Sequence, residues 1–350
     1  MYQLTIEPLG EIIEVEEGQN ILDAALRAGI YLPHACCHGL CGTCKVDVLE
    51  GDAEVGADAS PFALMDFERD EGKILACCST LMSDATIEAD IDEEPDARVI
   101  PVEDFNGTVS RFENLTPTIK GVFITLDRDI DFQAGQYVQL EIPGEDAPRA
   151  FSISNPPGTA REIELNIKLV EGGKGTTWVH EQLGSGDKIK LSAPYGRYFV
   201  RKSANLPMIF IAGGSGLSSP RCMIHDLLNS GCAEEITLVQ GARDIGELYY
   251  KEEFEALAET HDNFTYIPAL SDEAPDEWTG FKGFAHDAAK EAFNNDFQNH
   301  KAYVCGPPVM IDACITTLMQ GRLFERDIYM EKFISAADSE QTRSPLFKKI

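Results

Sequence analysis

Cysteine placement is the strongest constraint on how this 350-residue chain folds, because six of its ten cysteines lie within the first 78 residues. Cys36, Cys41 and Cys44 follow one another at the spacing C-x4-C-x2-C, and the doublet Cys77 and Cys78 comes later. Clustered thiols in a chain without a secretory leader pattern bind metal more often than they form disulfides. The first 80 or so residues are therefore predicted to fold around a metal centre.

The spacing of the first three cysteines, completed by a distant fourth, is typical of a plant-type 2Fe-2S centre. Gly39 and Gly42 allow the intervening loop to curl, so that backbone N–H groups face the sulfurs. Zinc could use the same four thiolates, although zinc ligands usually come as two short C-x2–4-C pairs. The predicted cluster ligands are Cys36, Cys41, Cys44 and Cys77.

Each end of this ligand set is a cysteine doublet. Successive side chains diverge in extended backbone, so only one member of a doublet can reach the same cluster. We assign Cys36 and Cys77 as ligands and interpret Cys37 and Cys78 as small buried apolar residues. A shift of one position in either doublet remains the alternative.

Charge and hydropathy exclude two classes of partner. The formal net charge of −30 repels phosphate backbones and anionic lipid surfaces. No apolar run approaches the roughly 18 residues of a membrane-spanning helix. The amino-terminal segment is acidic where a secretory signal would be basic. We expect a soluble, cytoplasmic protein that binds neither nucleic acid nor membrane.

The acidity is concentrated at one end of the chain. Residues 1–98 contain 22 acidic and five basic residues. An acidic surface that keeps a small domain in solution explains this excess, and so does a docking face for a basic partner. The sequence leaves both explanations open.

Periodicity predicts a small α+β unit over residues 1–95. Alternating apolar residues indicate a hairpin, and Asn20 and Gly29 bound a short helix as cap and stop signal. A second helix is predicted from the Ser60-Pro61 start signal to about Phe67. The predicted strands are 2–7, 11–15, 45–49, 74–76 and 86–91.

Two further regions follow a connecting segment, residues 92–104, which is acidic, contains two prolines and lacks periodicity. Residues 99–203 hold short alternating segments between glycine and proline turns, which predicts an antiparallel β-barrel whose last strand is 198–200. Residues 204–335 alternate strands with helices, the helices ending near 228 and spanning 251–260, 284–294 and a segment from Pro307. This pattern predicts an open parallel α/β sheet. The tail, residues 336–350, is predicted to be disordered.

Two segments of the barrel region suggest a flavin site. A flavin needs a cation near its phosphates, a flat face, a hydroxyl near the hydride-accepting nitrogen, and amides at a helix amino terminus. Arg149, Phe151 and Ser152 supply the first three, and the turn at Gly173 and Thr176 supplies the last. A surface charge, a core aromatic and a plain turn are the alternative interpretation.

Two glycine turns of the α/β region suggest a nicotinamide site. The run Gly213-Gly214-Ser215-Gly216 ends a strand and opens a helix, as a phosphate-binding turn must, but Ser219 replaces a third glycine. Cys305 ends a later strand at the carboxyl edge, where ligands bind. It is predicted to flank the nicotinamide, with a buried structural thiol as the alternative. Arg243 and Asp244 do not decide whether the donor is NADH or NADPH.

In this order the motifs resemble the reductase components of bacterial multicomponent oxygenases over nearly the whole chain. The runs PHACCHGLCGTC, AGGSGLSSPR and CGPP are most similar to the phenol hydroxylase type, which is related to the methane monooxygenase reductases. The resemblance implies a β-grasp ferredoxin domain, an FAD-binding barrel and a nicotinamide-binding α/β domain. It also implies NADH as donor and a separate diiron hydroxylase as electron acceptor.

The resemblance further implies site residues and two departures. Cys78 stands where many relatives carry glutamine, and Lys174-Gly175 interrupts the second flavin segment. The implied catalytic residues are Ser152, Cys305, Glu331 and Phe333, of which the last two lie beside the flavin ring. Cofactor contacts are implied for Arg149, Phe151, Ser152, Gly173, Thr176, Gly214, Gly216 and Cys305.

Hydride delivers two electrons, whereas an iron–sulfur cluster accepts one at a time, so a flavin must stand between them. We predict an oxidoreductase that passes electrons from NADH through FAD and a 2Fe-2S cluster, with catalysis by positioning. One alternative acceptor is a Rieske dioxygenase or a haem-thiolate monooxygenase. The other alternative is a cluster-bearing scaffold or redox sensor without enzymatic activity.

Overall fold

A computed structural model describes residues 1–57, 59–91, 94–145, 147–159, 161–272 and 274–333. It contains three main sheets, one for each predicted region, and so confirms the predicted multidomain fold. The tail 336–350 lies outside the described residues. Within the described ranges, every helix is too short or too polar to cross a membrane.

The first sheet has the strand order β2-β1-β7-β3-β5, and a small ribbon pairs β4 with β6. The Asn20 side chain accepts a hydrogen bond from the Asp23 N–H at 2.8 Å, which starts the first helix as predicted. Its elements are β1 (Tyr2–Glu7), β2 (Glu11–Val15), α1 (Ile21–Arg27), β3 (Lys45–Glu50), β4 (Ala53–Val55), α2 (Asp66–Asp70), β5 (Lys73–Leu75), β6 (Ser79–Leu81) and β7 (Ala85–Glu88).

The helix predicted from Ser60 is wrong, because α2 begins only at Asp66. The Ser60 hydroxyl accepts from the Phe62 N–H at 3.2 Å and closes a local turn instead of capping a helix. The Glu68 carboxylate accepts from the Met65 N–H at 2.9 Å, which is the contact that starts α2.

The second sheet is antiparallel and has the order β11-β10-β13-β8-β9-β12, with an Ile153–Leu165 bridge joining its two ends into a barrel. The predicted strand 198–200 does not form. Tyr198 instead packs edge-on against Tyr303 of the next region. The elements are β8 (Glu103–Asn114), β9 (Ile119–Leu126), β10 (Tyr137–Leu140), β11 (Arg149–Ser152), β12 (Glu162–Lys168), α3 (Lys174–Glu181) and β13 (Lys188–Tyr195).

The third sheet is parallel throughout, with the order β17-β16-β15-β14-β18-β19. From β14 the chain adds β15, β16 and β17 on one side. It then returns to add β18 and β19 on the other side of β14. Ligands bind at such a switch point, beyond the carboxyl ends of the two strands. The elements are β14 (Met208–Gly213), α4 (Ser218–Asn229), β15 (Ile236–Ala242), α5 (Lys251–Thr260), β16 (Phe264–Leu270), β17 (Phe281–Lys282), α6 (Ala285–Ala292), β18 (Lys301–Gly306), α7 (Pro308–Gln320) and β19 (Ile328–Lys332).

The connecting segment is held against its neighbours. Glu94 pairs with Arg201 at 2.7 Å, and Asp96 accepts from the Ser203 hydroxyl at 2.6 Å. The final residues predicted for this segment, from Glu103, already belong to β8. These two contacts fix the connecting segment to the end of the barrel region.

Candidate functional site

The four predicted cluster ligands form two pairs, although the described residues contain no group of three or more side chains already gathered around a metal position. The Cys36 thiol interacts with that of Cys41, and the Cys44 thiol interacts with that of Cys77. Three come from the loop between α1 and β3, and the fourth comes from a short 3-10 turn that packs on α1. Two pairs of thiols are the donor set that two irons require.

Backbone amides of the loop face these sulfurs. The His38 N–H donates to Cys36 Sγ at 3.4 Å, and the Gly39 N–H donates to Cys77. Gly39 and Gly42 both have positive φ, 73° and 74°, which non-glycine residues rarely adopt. Donors aimed at sulfur stabilise the negative charge of a thiolate-bound cluster. The residues present therefore fit a 2Fe-2S group.

The two members of the first doublet point in different directions. Cys37 has φ of 58°, an unusual value for a non-glycine residue, and its thiol lies 3.4 Å from the Tyr137 hydroxyl of the barrel. Cys37 and Cys78 pack against the first core but are only half-buried, where the sequence predicted buried residues. Cys37 also has this polar contact across the domain boundary, which the sequence did not indicate.

The predicted flavin segments meet at the amino terminus of α3. Gly175 lies so close to Arg149 that a Cβ at Gly175 would be 3.0 Å from the Arg149 Cγ. The Glu145 carboxylate is bound between Arg149 at 3.1 Å and Lys174 at 2.9 Å. Two cations beside a helix amino terminus can bind an anion, and in this structure the anion between them is the Glu145 carboxylate. Lys174-Gly175, a departure from the resembled pattern, therefore adds one of these cations to the turn.

Gly173 and Thr176 have a structural part in the same turn. Gly173 is the N-cap residue of α3. The Thr176 hydroxyl accepts from the Val170 N–H and donates to the Gly173 carbonyl, both at 3.1 Å. The Thr176 hydroxyl therefore holds the turn in shape, and the Gly173 N–H is already used, because it donates to the Val170 carbonyl at 2.9 Å.

A cavity of about 700 Å³ lies between the first region and the barrel, in the size range of cofactor sites. Its walls include Cys77, Gln139 and Trp178. Gln139 is 3% exposed, and neither atom of its amide has a hydrogen-bond partner among the described residues. A buried amide without partners is costly, so this wall suits the polar edge of a heteroaromatic ring such as a flavin.

Three of the four predicted catalytic residues, Ser152, Cys305 and Glu331, meet at one carboxylate. Glu331 in β19 accepts from the Ser152 hydroxyl at 3.4 Å, and the Cys305 thiol lies 3.8 Å from the same oxygen. The Ser219 hydroxyl donates to that oxygen at 3.1 Å. Burial raises the pKa of Glu331 to about 7, against an ordinary value of 4.5. Barrel and α/β region therefore enclose a carboxyl group that can gain or lose a proton near neutrality.

The glycine turn after β14 is pressed against the end of β18. A Cβ at Gly216 would lie 2.5 Å from the Cys305 carbonyl oxygen, so only glycine fits. A Cβ at Gly214, where φ is 57°, would lie 3.7 Å from the Lys168 ammonium. The turn, with a cation beside it, lies at the switch point where a dinucleotide phosphate would bind.

Phe333 follows β19, and its N–H donates to the Gly306 carbonyl at 3.1 Å. The ring is half-buried and packs on the same core as Phe151. The two aromatic residues implied for the flavin site therefore lie at the boundary between barrel and α/β region. Asp244 is less informative for NADH against NADPH, because its carboxylate accepts from the Gly246 N–H at 2.8 Å within its own turn.

Sequence reasoning missed two residues of this site, Ser219 and Lys168. Ser219 was noted only as the residue in place of a third glycine, and Lys168 only as part of a strand. Both act through residues more than 40 positions away, so no local pattern identifies them. A polar residue in the first turn of a helix that follows a glycine turn was the only available signal for Ser219.

The fold and the site define a class of protein, the NAD(P)H-dependent reductases that join a flavin domain to a 2Fe-2S domain. Three family models match in the corresponding order. They are the 2Fe-2S iron-sulfur cluster binding domain over residues 4–82, the oxidoreductase FAD-binding domain over 108–199 and the oxidoreductase NAD-binding domain over 210–315.

The chain belongs to the family of reductase components of multicomponent phenol monooxygenases. It is 60% identical to the phenol 2-monooxygenase reductase component DmpP of Pseudomonas sp. (strain CF600), covering 100% of this chain and 99% of the relative. The propane 2-monooxygenase reductase component of Rhodococcus jostii is 33% identical over 96% of this chain and 92% of its own length.

Among solved structures, the Amycolatopsis cytochrome P450 reductase GcoB matches with a TM-score of 0.88 and 31% identity, covering 95% of this chain and 99% of that one. The predicted resemblance, the oxidoreductase class and the three cofactors are thereby confirmed, and a zinc site and a non-enzymatic scaffold are set aside.

Proposed function

We propose that this chain takes electrons from NADH and passes them singly to a diiron hydroxylase that oxidises phenol or a related aromatic compound. The observation that carries the proposal is the convergence of Ser152, Cys305 and Glu331 where the barrel meets the α/β region. The identity to DmpP, whose description names a phenol 2-monooxygenase, supports the acceptor.

Bound FAD supplies the conversion of a two-electron hydride into single electrons. We propose that Arg149, Lys174 and the amides from Lys174 to Thr176 bind its pyrophosphate, on the turn that Gly173 begins. Phe151 and Phe333 would pack against its ring. The turn at Gly214 and Gly216, with the Lys168 ammonium, would bind the phosphates of NADH.

The carboxyl group of Glu331 is proposed to hold a proton near the reacting atoms, on the oxygen that does not accept from the two serines. Ser152 and Ser219 donate to the other oxygen and keep the carboxyl group oriented. The buried Cys305 thiol excludes water from the same place. Catalysis therefore comes from positioning and from one proton-holding group, without a protein nucleophile.

Cys36, Cys41, Cys44 and Cys77 are the proposed cluster ligands. The proposed domains are residues 1–95 for the cluster, 99–203 for FAD and 204–335 for the nicotinamide. The excess of acidic over basic residues in 1–98 supports docking of a basic face of the hydroxylase on the first domain. We propose that the protein works in the cytoplasm, where NADH is available.

Anaerobic titration of the reconstituted protein with NADH tests the electron path. Flavin and cluster absorption should both bleach with NADH alone, and each molecule should contain two irons and one FAD. A protein bleached only by dithionite would contradict the proposal.

Ionic strength tests the acceptor. Turnover with a purified diiron hydroxylase should fall steeply between about 50 and 300 mM salt, because charge pairs across an interface are screened. Reduction of a small neutral dye should change little over the same range. Equal salt responses would contradict charge-guided docking, and faster reduction of a haem-thiolate oxygenase than of the hydroxylase would favour the P450 alternative that the GcoB likeness suggests.

A further inference from the structure

Tyr137 of β10 joins the barrel to the cluster loop. Its hydroxyl donates to the Ala35 carbonyl at 2.8 Å and lies 3.4 Å from the Cys37 thiol. These two residues flank Cys36, a proposed cluster ligand. The barrel therefore contacts the loop on both sides of that ligand.

The same tyrosine lies beside the proposed hydride site. In the antiparallel pair of β10 and β11, Tyr137 is directly opposite Ser152. Ser152 in turn donates to Glu331. The cross-strand pair of Tyr137 and Ser152 thus connects the cluster loop with the residues proposed to surround the flavin ring.

The junction is rigid and largely closed to water. Tyr137 is 4% exposed and stacks on Tyr195, with ring centroids 5.7 Å apart and an interplanar angle of 19°. The buried His34 ring is a second tether, because its Nε2 accepts from the Gly196 N–H at 3.1 Å and its Nδ1 lies 2.7 Å from the Leu32 carbonyl.

The left-handed backbone of Cys37 indicates that these contacts impose the loop conformation. A non-glycine residue at φ of 58° persists only where its surroundings hold it. Here the surroundings are the Tyr137 hydroxyl on one side and the first core on the other.

We propose that Tyr137 is a positioning residue for electron transfer between flavin and cluster, acting through its hydrogen bond to the Ala35 carbonyl. This inference rests on the proposed function. Each transfer moves one electron from reduced FAD to the oxidised cluster, and the external acceptor later removes it. The hydrogen bond and the short covalent path from Ala35 to the Cys36 sulfur form a bonded route from the Tyr137 side chain to a proposed cluster ligand.

The test compares Tyr137→Phe with Tyr195→Phe. Both changes remove one hydroxyl and keep the stacked rings, but the hydrogen bond of the Tyr195 hydroxyl is, among the described residues, to Ser192 of the barrel at 3.0 Å. Stopped-flow mixing with NADH resolves flavin reduction from the later cluster reduction. Tyr137→Phe should slow cluster reduction about three- to tenfold, the effect of losing one buried hydrogen bond that holds the cluster loop in position, and should leave flavin reduction unchanged.

A second measurement does not depend on turnover. Hydrogen–deuterium exchange of the amides in residues 35–44 should be faster in Tyr137→Phe and unchanged in Tyr195→Phe. Electron paramagnetic resonance then gives the cluster content, so that each rate refers to loaded molecules. Cys37→Ala keeps the Tyr137–Ala35 hydrogen bond and should transfer electrons at nearly the wild-type rate.

Three results would overturn the inference. They are a wild-type rate of cluster reduction in Tyr137→Phe, an equal slowing in both tyrosine variants, and a slowing in Cys37→Ala alone. Wild-type protein whose cluster is not reduced by NADH would instead overturn the proposed function, so the two failures are distinguishable.

Discussion

The Ser152 hydroxyl and the Glu331 carboxylate meet at 3.4 Å, although the residues are 179 positions apart and belong to different sheets. Ser152 ends β11 of the barrel, and Glu331 lies in the last strand of the parallel sheet. Their contact closes the cleft between the two regions and buries an acid that would otherwise be hydrated. The cost of that burial has a measurable dependence on pH.

The first prediction concerns Glu331 and stability. Its pKa is about 7 in the folded protein and near 4.5 when exposed, so folding favours the protonated form. Below pH 4.5 the protonated group makes its full contribution to the free energy of unfolding. That contribution, roughly 3 kcal/mol, is lost as the pH rises to 7. Glu331→Gln should therefore raise the Tm at pH 8 and leave it unchanged at pH 4.5. The surface change Glu325→Gln is the control, and equal shifts at both pH values would contradict the prediction.

The second prediction concerns the first cysteine doublet. Cys36→Ser should abolish the cluster, because the Cys36 thiol faces Cys41, while NADH still reduces the flavin. Cys37→Ser should keep a cluster, because its side chain faces Tyr137 instead. Iron content and electron paramagnetic resonance distinguish the two variants. A normal signal in Cys36→Ser would transfer the ligand role to Cys37.

The third prediction concerns the close approach of the glycine turn after β14 to the end of β18. Gly216→Ala would place a Cβ 2.5 Å from the Cys305 carbonyl and force the turn outward. Overpacking of this kind costs about 1–3 kcal/mol, so the KM for NADH should rise about tenfold while FAD and cluster content stay normal. Gly184→Ala, where the nearest atom is at 3.5 Å, is the matched control. An unchanged KM in Gly216→Ala would show that the turn does not hold NADH.

The fourth prediction concerns an ion network between the barrel and the α/β region. Arg221 is bonded to Glu164 of the barrel at 2.9 Å and to Glu253 of α5 at 2.7 Å, and it lies over the Tyr250 ring. Arg221→Met leaves the buried Glu164 carboxylate without its cation, which should cost about 3–5 kcal/mol and lower the Tm.

Adding Glu164→Gln to Arg221→Met should restore part of that loss, since no buried charge then remains unpaired. The exposed Arg326→Met is the control for loss of a charge alone. A double variant less stable than Arg221→Met would contradict the electrostatic explanation.

The helices of the α/β region were predicted closely because each is long enough to show a clear periodicity. The prediction of α5 at 251–260 matches the structure, whereas the helix predicted from Ser60 does not. Ser60-Pro61 can close a turn as well as start a helix, and only the packing of the following residues decides between them. The same applies to residues 198–200, which pack across the domain boundary instead of joining the barrel.

The sequence alone determined the chemistry of the local motifs: four thiols at cluster spacing, a cation next to a helix start, and glycines where two loops meet. Short loops limit which groups can come together, so spacing carries that information. Only the tertiary structure decided that Cys37 faces the barrel, that Tyr137 reaches Ala35, and that Ser152 and Ser219 share the Glu331 carboxylate. Such contacts join residues about 100 or more positions apart, and they exist only because three separately folded sheets pack against one another.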